Sequence, residues 1–336
     1  MKFTPTEEKF IYKYGVIFTG VISGSLITWI LMSYVFNNNY PTDISAIRQN
    51  DKNTPLIRPL LGYNTPEIES DFALKDKLKK IIDTYTNNNQ LNATAVYYRD
   101  LNTGKWFGIN QDETFTPASL FKVPLMITYL KDAEIHPRLL STEITNNLVR
   151  DENEKETIKP LKSIVEGVTY TVDELLHYMI EYSDNNATVL LFKYVDQDTL
   201  SHVFSDLDIQ LPSENINSDF ISVSNYSFLF RVLYNATYLN HEMSEKGLEM
   251  LSKIDFTDGI RKSLPTGVPF ADKFGEYYLI ENGKIGEHQL HDCGIVYHPK
   301  HPYLLCVMTK GDSLDNLKKI IQEISKSTYV IVNNLK

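Results

Sequence analysis

The sequence predicts a mixed α/β (α+β) fold. A five-stranded antiparallel sheet is flanked by helices, and an all-helical insertion separates the first two strands from the last three. Two β-like runs, 93–100 and 105–110, lie early in the globular region, and three more, 268–280, 288–297 and 303–309, lie near its end. The stretch between them carries apolar residues mainly at helical spacing. Strands from both chain ends are therefore expected to form one sheet, with the helices supplied by the middle.

Each element has its own local signal. Residues 71–88 repeat apolar side chains at helical spacing, and Leu-Asn-Thr-Gly between the first two strands is typical of a hairpin. A helix is predicted to begin near Ser119, because Pro117 and Pro124 suit the opening turns of a helix better than its middle. Further helices are predicted at 172–195, 222–254 and 314–326.

Composition and charge narrow the class of protein. The chain has 336 residues, 42% hydrophobic and 23% charged, with a net charge of −10. These fractions are ordinary for a globular protein. Because an acidic surface repels phosphate backbones, no nucleic-acid partner is expected.

An uncharged apolar run covers residues 14–36, which as a helix of 1.5 Å per residue spans about 34 Å, enough for a bilayer core. Lys9 and Lys13 precede it, and no basic residue follows until Arg48. The positive-inside rule then places the N-terminus in the cytoplasm. A cleaved signal peptide is the alternative, but the run is long and no small-residue cleavage site follows closely.

The sequence therefore divides into four parts: a short cytoplasmic tail at 1–13, a transmembrane signal anchor at 14–36, a linker at 37–70, and one domain at 71–336. The last part is long enough for a sizeable core. We expect a single-pass cell-membrane protein whose domain is extracellular or periplasmic.

Cysteine is scarce, with Cys293 and Cys306 alone in the chain. Their spacing suggests no metal cluster, and no metal or other cofactor is expected. Both lie in β-like runs joined by a short turn, so they can face each other. The sequence leaves open a disulfide and two buried thiols, of which we slightly favour the thiols.

Three short motifs carry the chemistry. Ser119 and Lys122 are three residues apart, so on a helix both side chains lie on one face. A serine hydroxyl needs a base to remove its proton, and a lysine becomes that base when burial and nearby cations lower its pKa. A helix N-terminus also directs backbone N–H groups at an oxyanion. Alone, this pair also occurs on ordinary helices.

The second motif is Ser183-Asp184-Asn185, which is the one Ser-Asp pair in the chain that Asn follows. A helix cap would explain the same residues. The third is Lys273-Phe-Gly275, in a β-like run before the Asn-Gly turn at 282–283, where glycine permits close approach of a substrate backbone.

Together, in this order, the motifs resemble those of class A β-lactamases and penicillin-binding proteins over roughly residues 75–330. The resemblance implies that Ser119 is the acylated nucleophile, Lys122 its base, and Ser183 a proton relay to the leaving nitrogen. It further implies that Asn185 binds the substrate amide and that Lys273 supplies a positive field. The oxyanion hole would use the backbone N–H groups of Ser119 and Glu276, beside Gly275.

Two departures from the family pattern matter. The third motif usually has Thr or Ser where this chain has Phe274, whose ring cannot donate a hydrogen bond to a substrate carboxylate. Class A enzymes also carry a Glu-x-x-Leu-Asn loop whose glutamate activates the deacylating water. The corresponding stretch looks short here, and Glu214 is its one local candidate, at the wrong spacing. A solvated loop glutamate explains Glu214 better.

Three functions remain open on the sequence. The first is a β-lactamase-like serine hydrolase that acts on β-lactam or peptide amide substrates and deacylates poorly. The second is a peptidoglycan D,D-peptidase or transpeptidase of the same fold. The third is a non-catalytic domain that binds cell-wall peptide or senses β-lactams. A working deacylation residue favours the first, and intact motifs without turnover favour the third.

The topology predicts the behaviour of reporter fusions. A C-terminal reporter that is active only outside the cytoplasm should be active on the full chain, since the basic residues precede 14–36. The measurement is paired fusions to an extracytoplasmic and a cytoplasmic reporter. Activity of the cytoplasmic reporter alone would contradict the predicted orientation.

Overall fold

The computed structural model describes residues 46–48, 54–57, 59–63, 72–209, 218–281 and 284–335. The strands in chain order are β1 (Ala46–Arg48), β2 (Leu60–Tyr63), β3 (Ala93–Asp100), β4 (Trp106–Ile109), β5 (Thr114–Phe115), β6 (Glu143–Thr145), β7 (Thr169–Thr171), β8 (Ile221–Ser222), β9 (Phe270–Glu281), β10 (Lys284–Val296) and β11 (Tyr303–Gly311).

The helices are α1 (Phe72–Asn87), α2 (Lys122–Ile135), α3 (Val172–Glu181), α4 (Asn185–Tyr194), α5 (Gln197–Asp206), α6 (Val223–Asn235), α7 (His241–Ser252) and α8 (Leu314–Asn333). Short 3₁₀ turns occur at Ala118–Phe121, Leu139–Ser141 and Ile260–Ser263. Side-chain caps begin several helices: Thr171 forms a capping box with Glu174 at α3, and Ser222 caps α6.

The predicted five-stranded sheet is present, in the order β4-β3-β11-β10-β9, with every neighbouring pair antiparallel. Successive residues of the central strand β11 are buried, so the sheet is covered on both faces. Helices α1 and α8 pack together on one face, and α6 packs against β3, β10 and β11 on the other. β9 forms one edge of the sheet, and this edge borders the helical insertion.

Two predicted helices are each divided in the structure. The stretch predicted as 172–195 breaks between α3 and α4, where Ser183 has a φ of 56°. The stretch predicted as 222–254 breaks after α6, where Ala236 has a φ of 48°. Left-handed residues cannot continue a right-handed helix. The last helix extends beyond 326 to Asn333, because buried residues recur at helical spacing as far as Val332.

Part of the predicted linker is fixed to the domain. The backbone N–H groups of Leu56 and Ile57 donate to the carboxylate of Glu245 on α7, at 2.8–3.0 Å. The side chain of Ile57 is fully buried in the core. The hydroxyl of Tyr297 donates to the Leu56 carbonyl oxygen. Residues 54–57 therefore belong to the packed domain, although a boundary at residue 71 was predicted.

Cys293 on β10 and Cys306 on β11 face each other directly and form a disulfide. Both are fully buried. The cross-strand register thus decides between the two states that the sequence left open.

Within the described residues, none of the helices combines the length and the apolar character needed to cross a bilayer. The predicted anchor at 14–36 lies outside those residues, as does Glu214.

The docked segment predicts a stability effect. Ile57→Ala should lower the free energy of unfolding by about 2–5 kcal/mol, because it removes a fully buried aliphatic side chain and leaves a cavity. Urea unfolding of the full chain measures it, with Ile57→Val as the milder control at about 0.5–1.5 kcal/mol. Equal stability of Ile57→Ala and the unchanged chain would show that the segment does not contribute to the core.

Candidate active site

Ser119 lies in the 3₁₀ turn Ala118–Phe121, immediately before α2 begins at Lys122. The α-helix predicted to begin near Ser119 therefore begins three residues later. The preceding Ala118 has a φ of 48°, a strained conformation for a residue with a Cβ. Such strain is retained where the surrounding structure fixes the backbone, and it is concentrated at functional sites.

Several contacts fix the segment around Ser119. The Thr116 N–H donates to Gln289 Oε1 at 3.1 Å, and His291 Nε2 lies 3.0 Å from the Thr116 carbonyl oxygen. The hydroxyl of Tyr226 donates to the Leu120 carbonyl oxygen at 3.1 Å. Burial lowers the pKa of His291 to about 4. The sequence offered no function for this histidine, and in the structure its neutral ring holds the segment that carries Ser119.

Lys122 is buried beneath the site. Its Nζ atom lies 2.5 Å from the Ser183 carbonyl oxygen, 3.1 Å from Ser183 Oγ and 2.7 Å from Asn185 Oδ1. Burial, and then the nearby charge of Lys273, hold the pKa of Lys122 well below its usual range. A neutral amine has the free lone pair that a general base requires. Ser119 Oγ is not among the hydrogen-bond partners of Lys122 in the described structure.

Lys273 approaches the same hydroxyl from β9. Its side chain is fully buried, and its Nζ donates to Ser183 Oγ at 3.0 Å. Burial lowers the pKa of Lys273 to about 8, against the opposing effect of nearby carboxylates led by Asp272. A hydroxyl has one donor and two acceptor lone pairs. Ser183 can therefore pass a proton between the two lysines.

The conformation of Ser183 depends on its neighbour Asp184. The Asp184 carboxylate is fully buried and accepts hydrogen bonds from Asn153 Nδ2, Ser163 Oγ and the N–H groups of Ile164 and Asn186, at 2.7–3.0 Å. A buried carboxylate needs such donors to offset its desolvation. This network fixes the turn in which Ser183 has positive φ.

The third motif brings β9 against the turn that contains Ser119. A Cβ on Gly275 would lie 2.9 Å from the Pro117 carbonyl oxygen and 3.0 Å from Leu120, so only glycine fits. Phe274 is buried and stacks on Phe256, with the ring centroids 4.2 Å apart. Its ring thus fills the core at the position where the family pattern places a hydroxyl.

Glu276, whose backbone N–H is predicted to help form the oxyanion hole, also has a side-chain contact. Its Oε2 atom accepts a hydrogen bond from the Ile158 N–H at 2.9 Å. Burial raises its pKa, and neighbouring Glu156 raises it further. Glu276 therefore connects the sheet edge to the loop between β6 and β7.

The structure brings the predicted residues of all three motifs to one place. Lys122 and Lys273 both reach Ser183, Asn185 contacts Lys122, and Gly275 packs against the Ser119 turn. Sequence reasoning gave no function to Asp184, Asn153 or Glu156. Asp184 could have been found from the sequence, because it is the middle residue of the second motif. Asn153 and Glu156 belong to no motif, so no short-range signal identifies them. Among the described residues, no cluster of His, Cys, Asp or Glu could hold a metal ion.

Comparison with known proteins identifies the family. Residues 73–332 match the family described as the beta-lactamase enzyme family. The chain belongs to this family. A protein of Phocaeicola vulgatus named "Beta-lactamase" is 26% identical over 251 residues, which are 68% of this chain and 75% of that protein.

Solved structures with the same fold come from both branches of the predicted superfamily. The beta-lactamase of Sphaerobacter thermophilus has a TM-score of 0.64 at 20% identity, covering 77% of this chain and 97% of its own. The structure of PBP-A has a TM-score of 0.66 at 19% identity, with coverages of 81% and 99%. At these identities the likeness establishes the fold. The predicted resemblance is therefore confirmed at the level of family and fold.

If Ser119 is the nucleophile that the motifs predict, the two lysines predict a bell-shaped pH dependence of its acylation. The rate should rise with pH as Lys122 loses its proton, and fall near pH 8 as Lys273 loses the charge that surrounds the substrate. In Lys273→Ala the falling limb should disappear. The rising limb should move to higher pH, because removing a neighbouring cation stabilises protonated Lys122. Acylation rates from pH 5 to 10 test this, and an identical bell in the variant would refute it.

Proposed function

We propose that this chain is a membrane-anchored, extracytoplasmic serine hydrolase that forms an acyl-serine intermediate at Ser119 with β-lactam or peptide amide substrates. The observation that carries the proposal is the hydroxyl of Ser183, held 3.1 Å from Lys122 Nζ and 3.0 Å from Lys273 Nζ. This arrangement supplies a base of lowered pKa, a relay and a cation in one cluster, and β9, which carries Lys273, packs against the turn of Ser119. Membership of the beta-lactamase enzyme family supports the same chemistry.

The proposed reaction follows from these positions. Lys122 removes the proton of Ser119 as its Oγ atom attacks the substrate carbonyl. Backbone N–H groups at the start of the helix and on β9 stabilise the oxyanion. Ser183 then transfers a proton to the leaving nitrogen and recovers one from Lys122, which restores the base, while Lys273 keeps a positive charge beside Ser183. The acyl-enzyme is finally released by water.

We further propose that release is slow. The stretch that would carry a deacylating glutamate looks short, with Glu214 as its one candidate. A missing base can cost about 3–5 kcal/mol of activation free energy, or two to four orders of magnitude in rate. Phe274 supplies no hydroxyl for a substrate carboxylate and is packed on Phe256, which supports weak binding of penicillins as well.

The membrane anchor at 14–36 and the extracytoplasmic location remain part of this proposal. They rest on the uncharged apolar run and on the basic residues before it. β-Lactams and cell-wall peptides are found outside the cytoplasm, so the proposed location and the proposed substrates agree.

The proposal predicts a covalent adduct. Intact-mass analysis of the full chain after exposure to benzylpenicillin should show a gain of one whole penicillin, because ring opening releases no leaving group. Ser119→Ala should form no adduct, and Lys122→Ala should form it about 10²–10⁴-fold more slowly. Ser141→Ala, at an exposed position, serves as the matched control. Adduct formation by Ser119→Ala at the unchanged rate would exclude Ser119 as the nucleophile.

The same time course reports deacylation. The adduct should persist after excess penicillin is removed, and Glu214→Gln should leave its lifetime unchanged. Rapid nitrocefin turnover, in the hundreds per second and lost in Glu214→Gln, would instead demonstrate an efficient deacylation machinery.

A further inference from the structure

A loop segment is hydrogen-bonded both to the helical insertion and to the sheet edge. We call residues 153–158 the bridging segment. On the helical side, Asn153 Oδ1 accepts a hydrogen bond from the Asn185 N–H at 2.8 Å. On the sheet side, the Ile158 N–H donates to Glu276 Oε2, and the Tyr278 hydroxyl donates to the Lys155 carbonyl oxygen. The segment is therefore held at both walls of the site.

Glu156 lies in the middle of the bridging segment and enters the site. Its Oε1 atom accepts a hydrogen bond from Asn185 Nδ2 at 2.7 Å. Burial lowers the pKa of both Lys122 and Lys273, and the negative charge of Glu156 opposes this effect at each lysine. In the described part of the chain, no lysine or arginine forms an ion pair with Glu156. Its negative charge is thus available to a ligand.

We propose that Glu156 is a specificity-determining residue, which favours acyl donors with an ammonium group next to the amide carbonyl and disfavours donors with a carboxylate there. The inference rests on the proposed function, in which Asn185 binds the substrate amide.

In an acylamino substrate, the charged group on the carbon next to the amide carbonyl would lie near Glu156. If Asn185 Nδ2 donates to the amide carbonyl oxygen, the carbon that bears the side group is two bonds from that oxygen. A charge on this side group then lies within the roughly 4–6 Å over which neighbouring charges interact strongly. An ammonium group can replace Asn185 as the partner of Glu156, whereas a carboxylate would be repelled.

The surroundings strengthen this selection. Glu276 places a second carboxyl group on the sheet side, where burial, and then the charge of Glu156, raise its pKa. The two lysines are buried beneath Ser183, deeper than Glu156, which is only partly buried. The carboxylate of Glu156 therefore lies nearer the surface than either lysine.

Three penicillins with one phenylacetyl skeleton test the proposal on the full chain. Ampicillin carries an ammonium group on the carbon next to the amide carbonyl, benzylpenicillin carries hydrogen, and carbenicillin carries a carboxylate. Rates of adduct formation are measured by intact mass at about pH 6, where the amine is protonated and the carboxylates are ionised.

We expect ampicillin to acylate fastest and carbenicillin slowest, by about tenfold for each unit of charge. In Glu156→Gln, which keeps the shape and removes the charge, the ampicillin-to-carbenicillin ratio should fall from about a hundredfold toward one. The matched control is Glu154→Gln, an exposed glutamate of the same segment, in which the ratio should stay unchanged.

The outcomes separate the two proposals. Adducts that form with the same ratio in the unchanged chain and in Glu156→Gln would overturn the role of Glu156 while leaving the proposed function intact. A ratio that falls equally in Glu154→Gln and Glu156→Gln would reduce the effect to the general charge of the surface and also overturn it. Failure of every penicillin to acylate any of these chains would overturn the proposed function, and this inference with it.

Discussion

The buried carboxylate of Asp184 is the constraint on which the rest of the site depends. It sits at the break between α3 and α4, fully removed from water, and takes four hydrogen bonds from the loop and from the start of α4. Those bonds offset its desolvation and fix the left-handed turn at Ser183. Without that turn, the Ser183 hydroxyl would not lie between the two lysines. One carboxylate thus orients a hydroxyl that it does not itself touch.

The electrostatics of the site follow from burial more than from any single pair. Lys122 and Lys273 approach one hydroxyl from opposite elements, and burial is the largest cause of the lowered pKa of each. Their mutual repulsion further lowers the pKa of Lys122, which suits it to act as a base, while carboxylates beside Lys273 oppose the loss of its charge. Two lysines of the same type therefore acquire different roles from their surroundings.

Much of the fold could be predicted because its signals are local. The β-like runs and the hairpin turn indicated the five strands, and β3 runs over the predicted 93–100. The breaks within two predicted helices were missed, because Ser183 and Ala236 adopt positive φ without being glycine. The docking of Ile57 was missed as well, since its partner Glu245 lies 188 residues away and no short-range pattern reports it.

The sequence by itself determined the identities and the order of the chemical groups: one Ser-x-x-Lys, one Ser-Asp-Asn and one Lys-x-Gly before a turn, on elements whose type could be predicted from periodicity. Tertiary structure alone decided which groups meet. It brought Ser183 Oγ within 3.1 Å of Lys122 Nζ and 3.0 Å of Lys273 Nζ, although these residues are 61 and 90 positions away. It also brought Glu156 into hydrogen-bond contact with Asn185. The physical reason is that pKa, strain and charge complementarity depend on distance and burial, which appear only when the chain has folded.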